Sequence, residues 1–131
     1  MFVDASALIA ILAGEPDARH LLERLQRGVT RTTSPMAVWE TVRALARVRR
    51  IEVHEAEAAV EGFLAAFGVE VTAIPAEVRH GAIAAHARFG KGRHPAALNF
   101  GDCFAYACAR HAKASLLYKG DDFSLTDIET V

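Results

Sequence analysis

The sequence predicts a three-layer α/β/α fold, with a short, mainly parallel sheet covered by helices on both faces. Three observations carry that prediction. The chain has 131 residues, of which 52% are hydrophobic and 24% charged, a size and balance suited to one compact domain over residues 1–131. Short apolar or β-branched runs alternate with longer helical stretches, the pattern of parallel strands joined by crossover helices. No internal repeat, low-complexity tract or linker interrupts the alternation.

The elements follow in order. Residues 1–4 form a buried strand opening into an apolar helix, Ser6–Ala13, stopped by Gly14. Glu15-Pro16-Asp17 starts a second helix, Pro16 suiting a first turn, and this helix runs to Arg27 with Leu21, Leu22 and Leu25 inward. Val29–Thr33 is β-branched and reads as a strand. Ser34-Pro35 caps a third helix to Arg50, and a fourth spans His54–Phe67 and ends at Gly68. Val69–Ile74 is a strand, Ala76–Phe89 an alanine-rich helix, and Gly90–Leu98 the longest loop. Asn99 opens a helix to Lys113; Ser115–Tyr118 is a strand, Gly120–Phe123 a turn, and Ile128–Val131 a final strand.

Composition limits the function classes. A formal net charge of −1 supplies no general attraction for nucleic acid, so any such partner must be held by local patches. Cys103 and Cys108 sit about 140° apart on one helix, cannot bridge each other, and read as buried free thiols in a reducing compartment. The six histidines are scattered with no zinc-ligand spacing. Met1-Phe2-Val3-Asp4 lacks a basic leader, and no apolar run approaches the roughly 20 residues that span a bilayer, so a cytoplasmic protein without a membrane partner is expected.

Ligands of parallel α/β sheets bind beyond the carboxyl ends of the strands, and acids fall where those ends are expected. Asp4 ends the first strand, placed equally well to cap the next helix or to hold a ligand. On the third helix Val38, Thr41, Val42, Leu45 and Val48 share one arc, while Glu40, Arg43, Arg47 and Arg50 share the opposite one. That second arc is either a solvated face of Glu–Arg pairs or a carboxylate followed by phosphate-gripping arginines. Asp102 lies in the first turn after Asn99, near a capping box, where the helix dipole favours its ionised form. Asp121-Asp122 follows the strand Ser115–Tyr118, and Gly-Asp-Asp is also ordinary turn chemistry. Each acid has a plain structural explanation singly. Two strand ends and two helix starts expected on one rim do not reduce so easily.

The motifs that carry these acids resemble the PIN-domain family and, within it, the VapC ribonuclease toxins of bacterial toxin–antitoxin pairs. The opening Phe2-Val3-Asp4-Ala5-Ser6-Ala7-Leu8 is similar to the family's strand-Asp-x-Ser-Ala start, and Gly14-Glu15-Pro16 follows it. Glu40 stands at the family's second acid. Gly90-Lys91-Gly92-Arg93-His94 through Leu98-Asn99-Phe100-Gly101-Asp102-Cys103 carries the third. Leu116-Leu117-Tyr118-Lys119-Gly120-Asp121-Asp122-Phe123, with Thr126-Asp127-Ile128, resembles the family's carboxyl end.

The resemblance implies a PIN-like fold and a metal-dependent endoribonuclease. Asp4 and Asp102 are its expected primary metal ligands, with Glu40 and Asp122 completing the shell directly or through water. Asp122, directly before the Phe, matches better than Asp121, which remains an outer-shell acid; Ser6 is expected to hydrogen-bond a ligand carboxylate. Carboxylates gathered without a nearby lysine need a cation, and oxygen-only ligands select Mg²⁺ or Mn²⁺, as one ion or two. Arg43, Arg47, Lys91 and Arg93 are candidates for the RNA backbone. The implied partners are a transfer or ribosomal RNA substrate, cut to a 5′-phosphate and 3′-hydroxyl, a cognate VapB-type antitoxin, and a second copy in a homodimer. A DNA nuclease, or a binding module using the same acids, is the alternative. A haloacid-dehalogenase-type phosphatase is disfavoured, because position 6 is Ser where that chemistry needs a second acid.

Overall fold

All 131 residues are described by a computed structural model. Four strands, β1 (Phe2–Val3), β2 (Arg31–Thr33), β3 (Val69–Val71) and β4 (Leu116–Leu117), form one sheet of order β3-β2-β1-β4, parallel throughout. Helices α1 (Ala5–Ala13) and α2 (Ala18–Arg27) link β1 to β2, and α3 (Pro35–Arg49) and α4 (Val53–Phe67) link β2 to β3. The chain then crosses back through α5 (Val78–Phe89) and α6 (Phe100–His111) to β4, on the far side of β1.

The two-residue side-chain period of a strand divides the core between the faces of the sheet. Phe2 lies opposite Leu116, and both pack into the apolar cluster of α5 and α6, with Phe89, Tyr106 and Phe123. Val3 lies opposite Leu117, and both enter the cluster of α1 to α4, with Leu8, Leu25, Leu45 and Leu64. Sheet growth from β1 toward β3 and then back to β4 puts the successive helix layers on opposite faces and makes the β1/β4 boundary the point where the direction reverses. Asp4 stands at that point, directly after β1.

Local chemistry explains most helix ends. Gly14 closes α1 in the left-handed region at φ 68°, and Ser34 caps α3 by accepting from the Ala37 amide at 3.1 Å, with Pro35 at the first helical position. Several boundaries move relative to the sequence reading. Pro16-Asp17 remains a turn and α2 starts at Ala18. Val29 is fully exposed, and β2 begins only at Arg31, whose guanidinium donates to the carbonyls of Leu25, Gln26 and Phe67 and pins that point to α2 and α4. The third strand stops at Val71. Residues 128–131 make only a single bridge, Leu116 to Thr130, and no strand. Val48 is 53% exposed because no element covers the last turn of α3 on that side. The loop after α5 is tightly organised: Gly90 bridges Leu98, the Lys91 amide donates to the Leu98 carbonyl, and the Leu98 amide to Phe89. Cys103 and Cys108 are buried and free, and no helix is long and apolar enough to cross a membrane.

Candidate functional site

Asp4 follows β1 directly, its amide held by the Leu117 carbonyl of β4 at 2.9 Å and its side chain almost wholly buried. The carboxylate caps α1: Oδ2 accepts from the Ser6 amide at 3.0 Å and from the Ser6 hydroxyl at 2.5 Å. Ser6 Oγ in turn accepts from the Lys119 amide at 3.0 Å. One hydroxyl therefore ties the start of α1 to the chain leaving β4, and Oδ1 of Asp4 is spared from both bonds. Capping, one of the two roles open in the sequence, therefore occupies a single oxygen of the carboxylate.

Asp102 has a similar double position. The Asp102 carboxylate accepts from the Asn99 amide at 2.9 Å, and the Asn99 side chain accepts from the Asp102 amide at the same distance, a reciprocal cap that fixes the first turn of α6. Glu40 projects from α3 against the backbone of α6. A Cβ on Gly101 would stand 2.6 Å from Glu40 Oε1 and 2.7 Å from Oε2, so any larger residue would move the carboxylate from its place beside α6. Asp122 opens the 3₁₀ turn Asp122–Leu125 after β4, seated by the buried Phe123, whose ring packs edge-on against Tyr118 at 5.0 Å.

The acids sense one another. Burial raises the Asp4 carboxyl above the ordinary carboxylate range; the hydrogen bonds from Ser6 oppose the rise and the charge of Asp122 adds to it. Burial pushes Glu40 up to about 7, with repulsion from Asp4 and Asp102 adding and Arg43 opposing. Burial likewise pushes Asp102 up to about 6, against the Asn99 hydrogen bond and with repulsion from Asp4 and Asp122. Four carboxylates from β1, α3, α6 and the β4 turn thus share one field. Asp121, exposed at the cap position of the 3₁₀ segment with no side-chain cap bond, is not among the charges that act on Asp4, Glu40 or Asp102.

The basic candidates divide. Arg43 lies within reach of Glu40 and over the exposed Trp39 ring, 5.8 Å from its centroid. Arg47 lies a turn further along α3, exposed, with no ion pair. Lys91 and Arg93 lie on the exposed loop after α5. The expectation of no lysine near the acids needs correction: Lys119 adjoins Ser6. Its ammonium, however, is engaged by Glu15 and stands 3.7 Å from Asp17, so this charge is already matched. Arg43 is left as the cation that counters the cluster.

The residues suit a hard divalent cation. Every donor is a carboxylate oxygen, the repulsion has little local compensation, and Gly101 opens a cradle that any side chain would fill. As placed, no three acidic, histidine or cysteine side chains stand within reach of a single ion. The carboxylates of Glu40 and Asp122 make no hydrogen bond and are the ones free to close on it. Sequence reading overlooked Gly101 as a contact and the aromatic side chains flanking the acids, Trp39 and Phe100. Their signal was large apolar residues at polar helix positions, both more than 60% exposed.

Comparison with protein families matches residues 1–129 to the PIN domain. Among curated proteins, a VapC ribonuclease of Rhizobium meliloti (strain 1021) is 40% identical over 139 residues, covering 97% of this chain and 98% of the relative. Ribonuclease VapC of Mycolicibacterium smegmatis is 40% identical, covering 100% and 99% of the two chains. Ribonuclease VapC30 of Mycobacterium tuberculosis is 38% identical with similar coverage. Among solved structures, Mycobacterium tuberculosis VapC20, described as a Sarcin-Ricin loop cleaving toxin, superposes with a TM-score of 0.75 over 99% of this chain and 97% of its own, at 23% identity, a likeness of fold.

Proposed function

Because this chain belongs to the PIN-domain family and matches VapC ribonucleases along nearly its whole length, we propose that it is a single-domain toxic endoribonuclease acting in the cytoplasm, with Asp4, Glu40, Asp102 and Asp122 as its catalytic acids. The observation that carries the reading is the shared field of four carboxylates at the β1/β4 boundary. Asp4 and Asp102 would hold a Mg²⁺ or Mn²⁺ ion, being the two whose other oxygens are locked by Ser6 and Asn99. Glu40 and Asp122 would close the shell. The cation supplies the charge that makes an attacking water acidic enough to act and offsets the phosphodiester's charge.

The chain's own residues supply the order. Ser6 holds the Asp4 carboxylate in one orientation and keeps the β4 turn against it. The Asn99 cap holds Asp102. Glu40, half-buried beside Gly101 and free of hydrogen bonds, is suited to orient water, since a carboxylate oxygen accepts a water proton. Arg43 is the nearest charge for a phosphate, while Arg47, Lys91 and Arg93 lie further out as contacts to the RNA backbone. The substrate is RNA, transfer or ribosomal; the partner is a VapB-type antitoxin that covers the acids, and a second copy completes a homodimer.

Cleavage of a cellular RNA pool by purified protein, with Mg²⁺ or Mn²⁺ against EDTA and beside DNA of one matched sequence, tests this reading. Metal-dependent RNA cuts with 5′-phosphate ends are expected. Equal cutting in EDTA, or cutting of DNA alone, rejects it. Gly101→Ala offers a finer test: alanine favours the helix by up to ~1 kcal/mol over glycine, yet its methyl group displaces Glu40. Fold stability is expected to hold while cleavage falls about tenfold to a hundredfold, as for a misplaced catalytic group.

A further inference from the structure

Beside the acids, between α5 and the first turn of α6, lies a groove of about 620 Å³. Its walls are apolar, built from Ile83, Phe100 and Phe104; its rim carries Arg79, His86 and Lys91, and no carboxylate lines it. Phe100 is 73% exposed and Ile83 65% exposed. Phe104 braces Phe100 edge-on, ring centroids 5.2 Å apart, leaving the other side of the Phe100 ring open. The Lys91 amide is bonded to the Leu98 carbonyl at 3.0 Å, which fixes the backbone from which its side chain extends. Asn99 also lines the groove, and its backbone and side chain are both bonded to Asp102.

We propose that this groove is a base-binding subsite, in which an unpaired base of the RNA stacks on Phe100 while Lys91 and Arg79 hold the adjoining phosphates. The inference rests on the ribonuclease reading and extends it to how the strand is held. Three features favour single-stranded nucleic acid. An aromatic face left open beside cations is the combination that receives a splayed base and its backbone, since every base has a π-face and every linkage a charge. A rim that carries Arg79 and Lys91 and no acid complements a polyanion. The groove also shares Asn99 with the cap that holds Asp102, so groove and acids flank the same first turn of α6. At 100° per residue Phe100 and Asp102 point to nearly opposite sides of α6, about one helix diameter (~10 Å) apart. The stacked base therefore belongs to a nucleotide flanking the scissile phosphate, and the groove selects which unpaired segment is presented.

The test uses the full-length protein and a short single-stranded RNA carrying 2-aminopurine at successive positions, with binding read in EDTA by anisotropy and base fluorescence and cleavage read separately in Mg²⁺. One position is expected to be quenched on binding. Phe100→Ala abolishes that quenching and weakens binding about tenfold to a hundredfold, the range for loss of one aromatic–base stack; in cleavage the loss falls on KM more than on kcat. Phe100→Trp restores both. Lys91→Gln lowers the salt dependence of binding by about 0.7 in log–log slope, one phosphate contact to a single strand. Unchanged quenching and KM in Phe100→Ala, with cleavage intact, overturns the subsite and leaves the nuclease. A change of oligomeric state in Phe100→Ala with RNA binding untouched overturns it in favour of a protein interface. Absence of metal-dependent cleavage by the wild-type protein rejects the nuclease instead, and the quenching then reports on the groove alone. Phe100 is mostly exposed, so the alanine variant is expected to melt with the wild type.

Discussion

Asp4→Asn is expected to reduce RNA cleavage in Mg²⁺ by at least a thousandfold while the protein stays folded. The amide keeps the shape of the carboxylate and can still accept from the Ser6 amide and hydroxyl through its carbonyl oxygen, so the cap of α1 survives. What disappears is a buried negative charge at the point where β1, α1 and the β4 turn meet, and with it the strongest oxygen ligand for a divalent cation. Asp102→Asn is expected to do the same, since an asparagine at that position preserves the reciprocal cap with Asn99. Loss of one preorganised electrostatic contributor typically costs a hundredfold to a thousandfold, and loss of a metal ligand removes the ion's whole contribution. Cleavage-site mapping on cellular RNA after induction, wild type beside each variant with circular dichroism as the fold control, gives the readout. Retained cutting at the same sites by Asp4→Asn would remove these carboxylates from the mechanism.

Without metal, the wild-type protein is expected to become less stable as the pH rises from about 4 to 7. In the fold Glu40 is pushed up to about 7 and Asp102 up to about 6, both from ordinary values near 4, and Asp4 is raised as well. Between those limits the folded chain binds more protons than the unfolded one, so stability is fully present below the unfolded pKa and is lost as pH passes through the folded pKa. Glu40 and Asp102 are only partly buried, and after discounting for solvent screening the combined change is on the order of 2 kcal/mol, several degrees in Tm for a domain of this size. Mn²⁺ reverses the trend: it takes the place of the protons, stabilising most at pH 8, by about 2.7 kcal/mol at a hundredfold excess over its Kd, and least at pH 5. Glu40→Gln is expected to flatten the metal-free pH profile and to raise Tm at pH 8 in EDTA. Asp127 has the opposite sign: the hydrogen bond from Tyr106 and the charges of Arg88 and Arg110 hold it below the usual range, so its small contribution is lost only as pH falls through that depressed value. Thermal melts at pH 5 and pH 8, in EDTA and in Mn²⁺, measure all of this. A metal-free Tm that climbs from pH 5 to pH 8 would contradict it.

Both expectations depend on carboxylates that the chain keeps far apart, and how much of that grouping was legible differs by residue. Asp4 and Asp102 were visible because short-range chemistry marks them: an acid ends an apolar run before a helix, and Asn99-x-x-Asp102 has cap spacing. Glu40 was harder. Helical periodicity placed it opposite the apolar arc and suggested solvent, whereas it is half-buried against Gly101. A helix periodogram registers only hydrophobic partners, and the partner of this face is a glycine backbone. The preference for Asp122 over Asp121 came from its place directly before Phe123, and in the fold Asp122 is the one whose charge acts on Asp4 and Asp102. Strand ends were overextended at Val29, Ile74 and Ile128–Val131 because β-branched residues favour extended backbone with or without a neighbour to pair with.

The sequence by itself determined the alternation of strands and helices, most helix starts and stops, and the placing of acids at strand ends and helix starts, since propensity, capping and side-chain period act over a few residues. Only the tertiary structure decided the order β3-β2-β1-β4, the meeting of β1 with β4 that sets Asp4 beside the Asp122 turn, and the raised proton affinities that follow. Those depend on burial and on charges contributed by segments up to a hundred or more residues away, and no local pattern records either.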